Sequence, residues 1–289
     1  STAALLAAVS ASVNKGGKIL VARNCHKAVY HALYLRELQP VYIYPHEDQR
    51  LGINGGISPE RVERYLEENT DVQAFLLTSP TYDGVVSDIK TIAEVVHRHK
   101  IPLIVDEAHG AHLHYSKYFP VSAADLGADI VIQSFHKTLP SMTQTAVLHI
   151  CSDMADVEKI KRFMGIYQTS SPSYILMASM DACMDKLRKD GQQMFREFTF
   201  NLERARQRLS KCSPQSELLL TDTFSIRYFV TDITLKWKWR LRNMFLELQQ
   251  WEIQKRDLRD CVLQLKRLMQ RYSKQMSRRN RSIILLMRE

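Results

Sequence analysis

Residues Ile101–His109 read IPLIVDEAH, an unbroken apolar run that ends in two adjacent carboxylates. A short apolar run without polar alternation is typical of a strand whose two faces are both covered. Comparable runs recur on both sides of it, with amphipathic stretches between them. These runs are KILVA (18–22), PVYIY (40–44), VQAFLL (72–77), DIVIQS (129–134) and TAVLHI (145–150). The alternation predicts an α/β fold, with a mostly parallel sheet and helices on both faces.

The intervening stretches predict the helices. One is expected to begin at Pro59, because Ser58 can cap it and proline suits a first helical position. The others are predicted at Lys27–Leu38, Asp88–His99 and Val121–Leu126, and, after Cys151, at Asp153–Tyr167, Tyr174–Lys189 and Met194–Lys211. A Gly-rich loop, LGINGGIS, precedes Ser58, and a short β-like run is predicted at Phe224–Val230.

Polar clusters follow four of the predicted strands directly. They are ARNCHK after the first strand, TSPTYDG after VQAFLL, DEAHGAH after IPLIV, and SFHKTLPSMTQ after DIVIQ. In a parallel sheet the carboxyl ends of the strands lie at one edge, where ligands bind. We therefore expect the four loops to form one site.

The cysteines and the hydropathy pattern narrow the class of protein. Five cysteines are dispersed, with no CxxC pair and no His/Cys cluster of metal-binding spacing. An odd, scattered set of this kind favours reduced thiols in a cytoplasmic protein without a metal site. No apolar run approaches the length of a membrane span, and no basic segment precedes the small-residue run at residues 1–13, so neither a span nor a signal peptide is predicted.

The net charge of +9 is concentrated at one end of the chain. Residues 233–289 contain 15 Lys and Arg against 5 Asp and Glu, which leaves 25 basic and 26 acidic side chains, a net of −1, in the first 232 residues. The main body therefore gives no indication of dedicated nucleic-acid binding.

Lys137 lies one residue after a histidine, in a loop crowded with hydroxyl groups. This arrangement suits a lysine that forms a Schiff base with pyridoxal 5′-phosphate, although most lysines are simply surface residues. Asp106, at the end of a buried strand, is the candidate partner for the protonated pyridine nitrogen, because a buried carboxylate requires a partner. The alternative for Asp106 is a turn cap. Glu107 alternates to the opposite face and is expected to be structural.

Further polar residues are candidates for the rest of this cofactor. His26 could stack on the ring, or could be a solvated or capping residue, and His109 or Thr81 could donate to the phenolic oxygen. Hydroxyls at the start of an Ala-rich helix could bind the phosphate or simply cap the helix. The phosphate candidates are Ser1, Thr2, Ser134 and His136. His112 and His114 are expected to be exposed loop residues.

These blocks resemble the Orn/Lys/Arg decarboxylase family of fold-type-I pyridoxal-phosphate enzymes, in its short bacterial form. The family's lysine signature is represented by Ser134, His136 and Lys137, followed by Thr143–Ala146. RNCHK (23–27), TSPTYDG (78–84) and DEAHGAH (106–112) resemble its other blocks, in its order and spacing, over residues 1 to about 150. The stretch that follows, to about Lys211, is compatible with the family but less diagnostic.

The resemblance implies decarboxylation of arginine, lysine or ornithine to the corresponding amine through a Lys137 Schiff base. Asp106 would hold the pyridinium, and Lys137 or His136 would be candidates for returning the proton. A homodimer is implied as well, with a small-molecule amino acid as substrate. Two alternatives stay open: another enzyme of the same fold, such as an aminotransferase or acyltransferase, or an inactive remnant of the decarboxylase. DEAH also occurs in acyltransferases, whereas SFHKTLPSMTQ favours the decarboxylases.

Both ends of the chain depart from the family pattern. The resemblance leads us to expect a further segment before Ser1, so the chain is interpreted as an N-terminally truncated fragment. We predict a cofactor-binding large domain at residues 1–190, a helix and the start of a small domain at 191–232, and an atypical basic tail at 233–289. The tail lacks glycine and proline. It is either a genuine extension or, as we favour, an out-of-frame product.

Overall fold

A six-stranded sheet forms the centre of the protein in a computed structural model that describes residues 1–48 and 52–212. The strand order is β2-β1-β5-β6-β7-β8, and all neighbouring pairs are parallel except β7 and β8. The strands are β1 (Lys18–Ala22), β2 (Gln39–Ile43), β5 (Val72–Thr78), β6 (Leu103–Asp106), β7 (Ile130–Gln133) and β8 (Val147–Ile150). The predicted mostly parallel α/β fold is confirmed.

Helices cover both faces of this sheet. They are α1 (Thr2–Ser12), α2 (Lys27–Leu35), α3 (Pro59–Glu68), α4 (Ile89–Arg98), α5 (Phe135–Thr138), α6 (Val157–Tyr167) and α7 (Tyr174–Cys212). The predicted N-cap at α3 is confirmed, because Ser58 Oγ accepts the backbone N–H of Arg61. Asp88 caps α4 in the same way, through the N–H of Thr91. Within the described ranges, no helix combines the length and apolar character that crossing a bilayer requires.

Alternate strand residues feed two separate apolar layers. On one face, Ile19, Ile104 and Ile132 pack with α1, α2 and α6. On the other, Leu20 and Val105 pack with α3 and α4. Successive side chains of a strand point to opposite faces, so each strand contributes to both layers. Helix α1 is rich in alanine and is buried along most of its length. Its N-terminus lies close to the carboxyl edge of the sheet, within electrostatic reach of Asp106 and Lys137.

Three local predictions were wrong. The helix predicted at Val121–Leu126 is only a 3-10 turn at Ala123–Asp125, because Ser122 Oγ and Ala123 N–H donate to Glu107 instead of extending a helix. The two helices predicted between residues 174 and 211 form one helix, α7. Part of the Gly-rich loop forms a short strand, β4 (Ile53–Asn54), which pairs antiparallel with β3 (Glu47–Asp48).

The continuity of α7 has a packing explanation. Gly191 lies in the buried stripe of α7 that includes Cys183 and Leu187. This stripe packs against Phe135 and Leu139 of the lysine loop, SFHKTLPSMTQ (134–144). One glycine costs a helix about 1 kcal/mol, which is too little to break it when that stripe is buried. The expected division between residues 190 and 191 thus falls inside this helix. The predicted run Phe224–Val230 and the tail at 233–289 lie outside the described residues.

Candidate active site

Four neighbouring parallel strands deliver the polar loops to one edge of the sheet. β1, β5, β6 and β7 lie side by side, and Asp106 pairs with Thr78 on one side and Ile132 on the other. The loops that follow these strands therefore begin at nearly the same level. This places the four polar blocks together, as the strand pattern predicts.

Lys137 and His109 make the central contact of this edge. Lys137 lies on the single-turn helix α5, and its Nζ is 3.2 Å from His109 Nε2. Burial, and then the charge of Lys137, lowers the pKa of His109 to about 4, so the imidazole is neutral near pH 7. An ammonium group can only donate, so His109 Nε2 accepts from the charged form of Lys137 and the ring proton lies on Nδ1.

Asp106 is a buried carboxylate at the same place. Its side chain is 2% exposed, and Oδ1 accepts the backbone N–H of Ala108 at 3.2 Å. Burial raises the pKa of Asp106, whereas the positive charge of Lys137 opposes that rise. The carboxylate and the lysine are therefore within electrostatic reach of each other. A cationic ring nitrogen would give this buried acid the partner that its position requires.

The first helix begins beside these two residues. Ser1 lies within electrostatic reach of both Asp106 and Lys137. Ser1 precedes α1 without a side-chain cap bond, and Thr2 is exposed on its first turn. The first N–H groups of a helix have no intrahelical acceptor and attract anions.

Ser134 supplies a hydroxyl that the rest of the described chain does not satisfy. It is 0% exposed, and its Oγ is buried without a hydrogen-bond partner among the described residues. Thr78 Oγ1, at the end of β5, is also buried without a hydrogen-bond partner among the described residues. Buried hydroxyls normally find partners, so both are available to a polar ligand at this edge of the sheet. Sequence reasoning singled out Ser134 but not Thr78, although Thr78 opens the TSPTYDG block.

His136 connects α5 to the loop that follows it. Its Nδ1 donates to the carbonyl oxygen of Thr145 at 2.9 Å, because that oxygen can only accept. Thr145 is buried, and its Oγ1 bonds Ser141 Oγ and the Met142 carbonyl. The T-Q-T-A part of the lysine block therefore holds the histidine in place next to Lys137.

His26 and Thr81 have local structural contacts. His26 is the N-cap of α2, where its Nδ1 accepts the N–H of Ala28, and its ring is largely exposed. Burial and then the charge of Lys137 lower the pKa of His26, which places it near the lysine. Thr81 Oγ1 accepts the N–H of Val85 and closes the TSPTYDG turn.

The two histidines that follow His109 differ from each other. The expectation that His112 is an exposed loop residue was wrong: it is 5% exposed, and its ring packs edge-on against Phe119 with centroids 4.6 Å apart. Burial lowers the pKa of His112 to about 4. His114 is exposed as predicted and lies 3.2 Å from Asp125. In residues 1–48 and 52–212, no group of three or more His, Cys, Asp or Glu side chains is arranged to hold a metal ion.

Comparison with solved structures identifies the class of fold. The chain is similar to the N-succinyldiaminopimelate aminotransferase from Mycobacterium tuberculosis, with a TM-score of 0.54 and 19% identity over 73% of this chain and 54% of that one. The constitutive lysine decarboxylase of Escherichia coli gives a TM-score of 0.60 and 24% identity over 73% of this chain and 31% of that chain. Both likenesses show a shared fold.

The sequence comparisons then identify the family. The family model described as Orn/Lys/Arg decarboxylase, major domain, matches residues 1–251, and the chain therefore belongs to this family. Arginine decarboxylase of Bacillus subtilis is 35% identical over 211 residues, which cover 73% of this chain and 43% of the relative. The E. coli constitutive lysine decarboxylase is 28% identical over 188 residues, covering 60% of this chain and 26% of that protein. The chain thus spans less than half the length of these two relatives.

Proposed function

We propose that the chain carries the catalytic site of a pyridoxal-phosphate-dependent decarboxylase that acts on a basic amino acid, namely arginine, lysine or ornithine. Lys137 would bind the cofactor as a Schiff base. The observation that carries the proposal is the convergence of a lysine amine, a neutral histidine and a buried carboxylate at the ends of adjacent parallel strands. Family membership and relatives named as arginine and lysine decarboxylases support the reaction.

The residues present fit the cofactor. Asp106 is a buried acid that a protonated ring nitrogen would neutralise. Ser134 Oγ is a buried hydroxyl without a partner in the described chain, and α1 begins close to Asp106 and Lys137. We assign the phosphate to Ser134, His136, Ser1 and Thr2, the ring face to His26, and the phenolic oxygen to His109 or Thr81. A solved structure of similar fold, a putative aminotransferase from Clostridium difficile, is pyridoxal-phosphate-bound.

Each of the chain's own residues has a defined task in such a reaction. When bound, pyridoxal phosphate supplies a ring that accepts the electron pair left by the departing carboxylate. Asp106 holds a proton at the ring nitrogen, which preserves that capacity. His109 Nε2 orients the amine of Lys137 and accepts its N–H. Lys137 Nζ or the His136 imidazole would return a proton to the substrate carbon.

A second candidate is another reaction on the same fold. The similarity to an aminotransferase supports the fold only, because the identity is 19%. The third candidate, an inactive remnant, is motivated by the coverage of less than half of the relatives' length.

One experiment separates the decarboxylase from the other two candidates. The purified chain is titrated with pyridoxal phosphate, the visible absorbance band of the Schiff base is recorded, and amine formation from arginine, lysine and ornithine is measured. The decarboxylase predicts the band and amine from one of the three substrates, whereas the remnant and another reaction of the same fold both predict the band without amine. Lys137→Ala should abolish the band, and Lys117→Ala, which changes an exposed lysine, should retain it. A band that survives in Lys137→Ala would contradict the assignment.

We further propose a cytoplasmic homodimer. Cys25, Cys151 and Cys183 are free thiols, which supports a reducing compartment. The dimer rests on the family resemblance, and light scattering of the purified chain tests it. A monomer at micromolar concentration would contradict it.

A further inference from the structure

Glu107 is a buried acid next to Asp106 that accepts three hydrogen bonds. It is 1% exposed, and burial raises its pKa. Its Oε2 accepts from Ser122 Oγ at 2.7 Å and from Gln133 Nε2 at 2.6 Å. Its Oε1 accepts the backbone N–H of Ala123 at 2.9 Å. This carboxylate therefore joins three separate chain segments.

Because side chains alternate along β6, this network lies on the face of the sheet opposite to Asp106. Asp106 extends the side of β6 that holds Ile104, in the layer with α1. Glu107 extends the opposite side, with Val105 and Ala123. The Glu107–Gln133 bond thus joins the residue after Asp106 to the residue before Ser134. This bond connects β6 and β7 at their carboxyl ends, where Asp106 lies and the lysine loop begins.

The hydrogen-bond directions in the network are mutually consistent. Gln133 donates to Glu107 through its amide nitrogen, so its amide oxygen is free to accept, and it does so from His149 Nε2 at 3.1 Å. Ser122 and Ala123 also donate to the carboxylate. An acceptor-only group at position 107 satisfies every one of these donors, and a neutral amide would not.

We propose that Glu107 is a positioning residue for the cofactor site. Its carboxylate, acting through Gln133, fixes the start of the lysine loop relative to Asp106, and so sets the separation between Lys137 and the buried acid. This inference rests on the proposed function, because it names how the same site is held. It assigns Glu107 no contact with cofactor or substrate.

The test uses a substitution that keeps the size of the side chain. In Glu107→Gln, the new amide N–H faces at least one of the existing donors, which leaves a buried donor without an acceptor. We expect pyridoxal phosphate to bind about tenfold more weakly or worse, and the pH midpoint of the Schiff-base absorbance to shift.

A second substitution should restore the site. In the double variant Glu107→Gln/Gln133→Glu, the amide at position 107 donates to the carboxylate at position 133, which also accepts from His149. The Ser122 hydroxyl can rotate to accept from the new amide, so the hydrogen-bond donors and acceptors match again. The negative charge has then moved from position 107 to position 133 on the neighbouring strand. We expect cofactor affinity and the pH midpoint to return most of the way to the wild-type values. A double variant that folds but stays as weak as the single variant would overturn the proposal.

Asp129 offers a matched control. It is also a fully buried acid with several donors, namely Leu103 N–H, His97 Nε2 and Ser152 Oγ, but it lies before β7, away from the site. Asp129→Asn should lower stability while leaving cofactor affinity and the pH midpoint unchanged. Equal losses of affinity in Asp129→Asn and Glu107→Gln would also overturn the proposal. A wild-type chain that forms no Schiff base would instead defeat the proposed function.

Discussion

His109 and His112 lie three residues apart in one loop, and burial lowers the pKa of both to about 4. His109 uses its neutral ring to accept from Lys137, whereas His112 packs its ring on Phe119. The sequence alone does not distinguish these situations, because a loop histidine looks the same whether a tertiary contact covers it or not. The DEAHGAH block predicted the position of His109 at the site but not the burial of His112.

We predict that His112 makes the protein less stable in mild acid. Its folded pKa of about 4 lies below the ordinary value of 6.5, so the unfolded state binds a proton first as the pH falls. The contribution of neutral His112 to the free energy of unfolding is fully present above pH 6.5 and is lost progressively down to pH 4. The total loss is about 3 kcal/mol. Urea unfolding at pH 7 and pH 5 measures this loss. His112→Phe should lose less stability over that interval than wild type, and His114→Gln, at an exposed position, should behave as wild type. Equal losses in wild type and His112→Phe would contradict this account.

Gly110 is a second residue-scale test, because it lies where the loops after β5 and β6 meet. A Cβ at this position would lie 2.5 Å from Glu107 Cγ and 3.0 Å from Pro80 Cδ. Gly110→Ala should therefore destabilise the fold by about 3 kcal/mol, as overpacking does. The control is Gly165→Ala at an exposed position of α6, where a Cβ meets nothing within 4 Å and should stabilise the helix by up to about 1 kcal/mol. The denaturant concentration at the unfolding midpoint of each variant measures these changes. A midpoint for Gly110→Ala equal to that of wild type would be evidence against the close packing.

At the scale of elements, the strands of the central sheet were predictable and some helices were not. Apolar runs such as VQAFLL and KILVA are short and almost without polar residues, as is typical of strands between covering layers, so their positions could be predicted from the sequence. The 3-10 turn at Ala123–Asp125 depends on Glu107, which is distant in sequence, and local pattern does not report such a contact. The proposed roles of the site residues rest on residue chemistry and on family resemblance, and the Glu107–Gln133 bond required the structure.

Helix α7 provides the prediction at this scale. A Cβ at position 191 would lie 3.8 Å from Leu187 Cβ, which is ordinary van der Waals contact. Gly191→Ala should therefore raise the free energy of unfolding by up to about 1 kcal/mol. Gly191→Pro should reduce it by about 3 kcal/mol or more, because proline interrupts the helix. Calorimetry of the two variants checks both signs. A stabilising proline would mean that the helix is broken at this point.

At the scale of the whole molecule, the site is assembled from residues far apart in sequence. The N-terminus of α1, the end of β6 and the helix α5 come together only when the sheet has formed. A ligand that binds this assembly and not the unfolded chain must stabilise the folded state as a whole.

We therefore predict that pyridoxal phosphate raises the thermal stability of the chain. At a concentration of about 100 times its Kd the gain should be about 3 kcal/mol. Scanning calorimetry with and without cofactor measures it, and Lys137→Ala should gain less at the same concentration because its affinity is lower. An identical shift in Lys137→Ala would show that binding does not depend on the lysine.

The adjacent acids at the end of β6 also bear on how this sequence can change over evolutionary time. Asp106 and Glu107 occupy opposite faces only because strand side chains alternate. The face on which each acid lies therefore depends on the number of residues that precede it in the strand. A one-residue deletion within β6 would exchange the faces of the two acids while leaving both in the protein. A volume-conserving apolar substitution in this strand keeps both acids on their faces, whereas an insertion or deletion there does not.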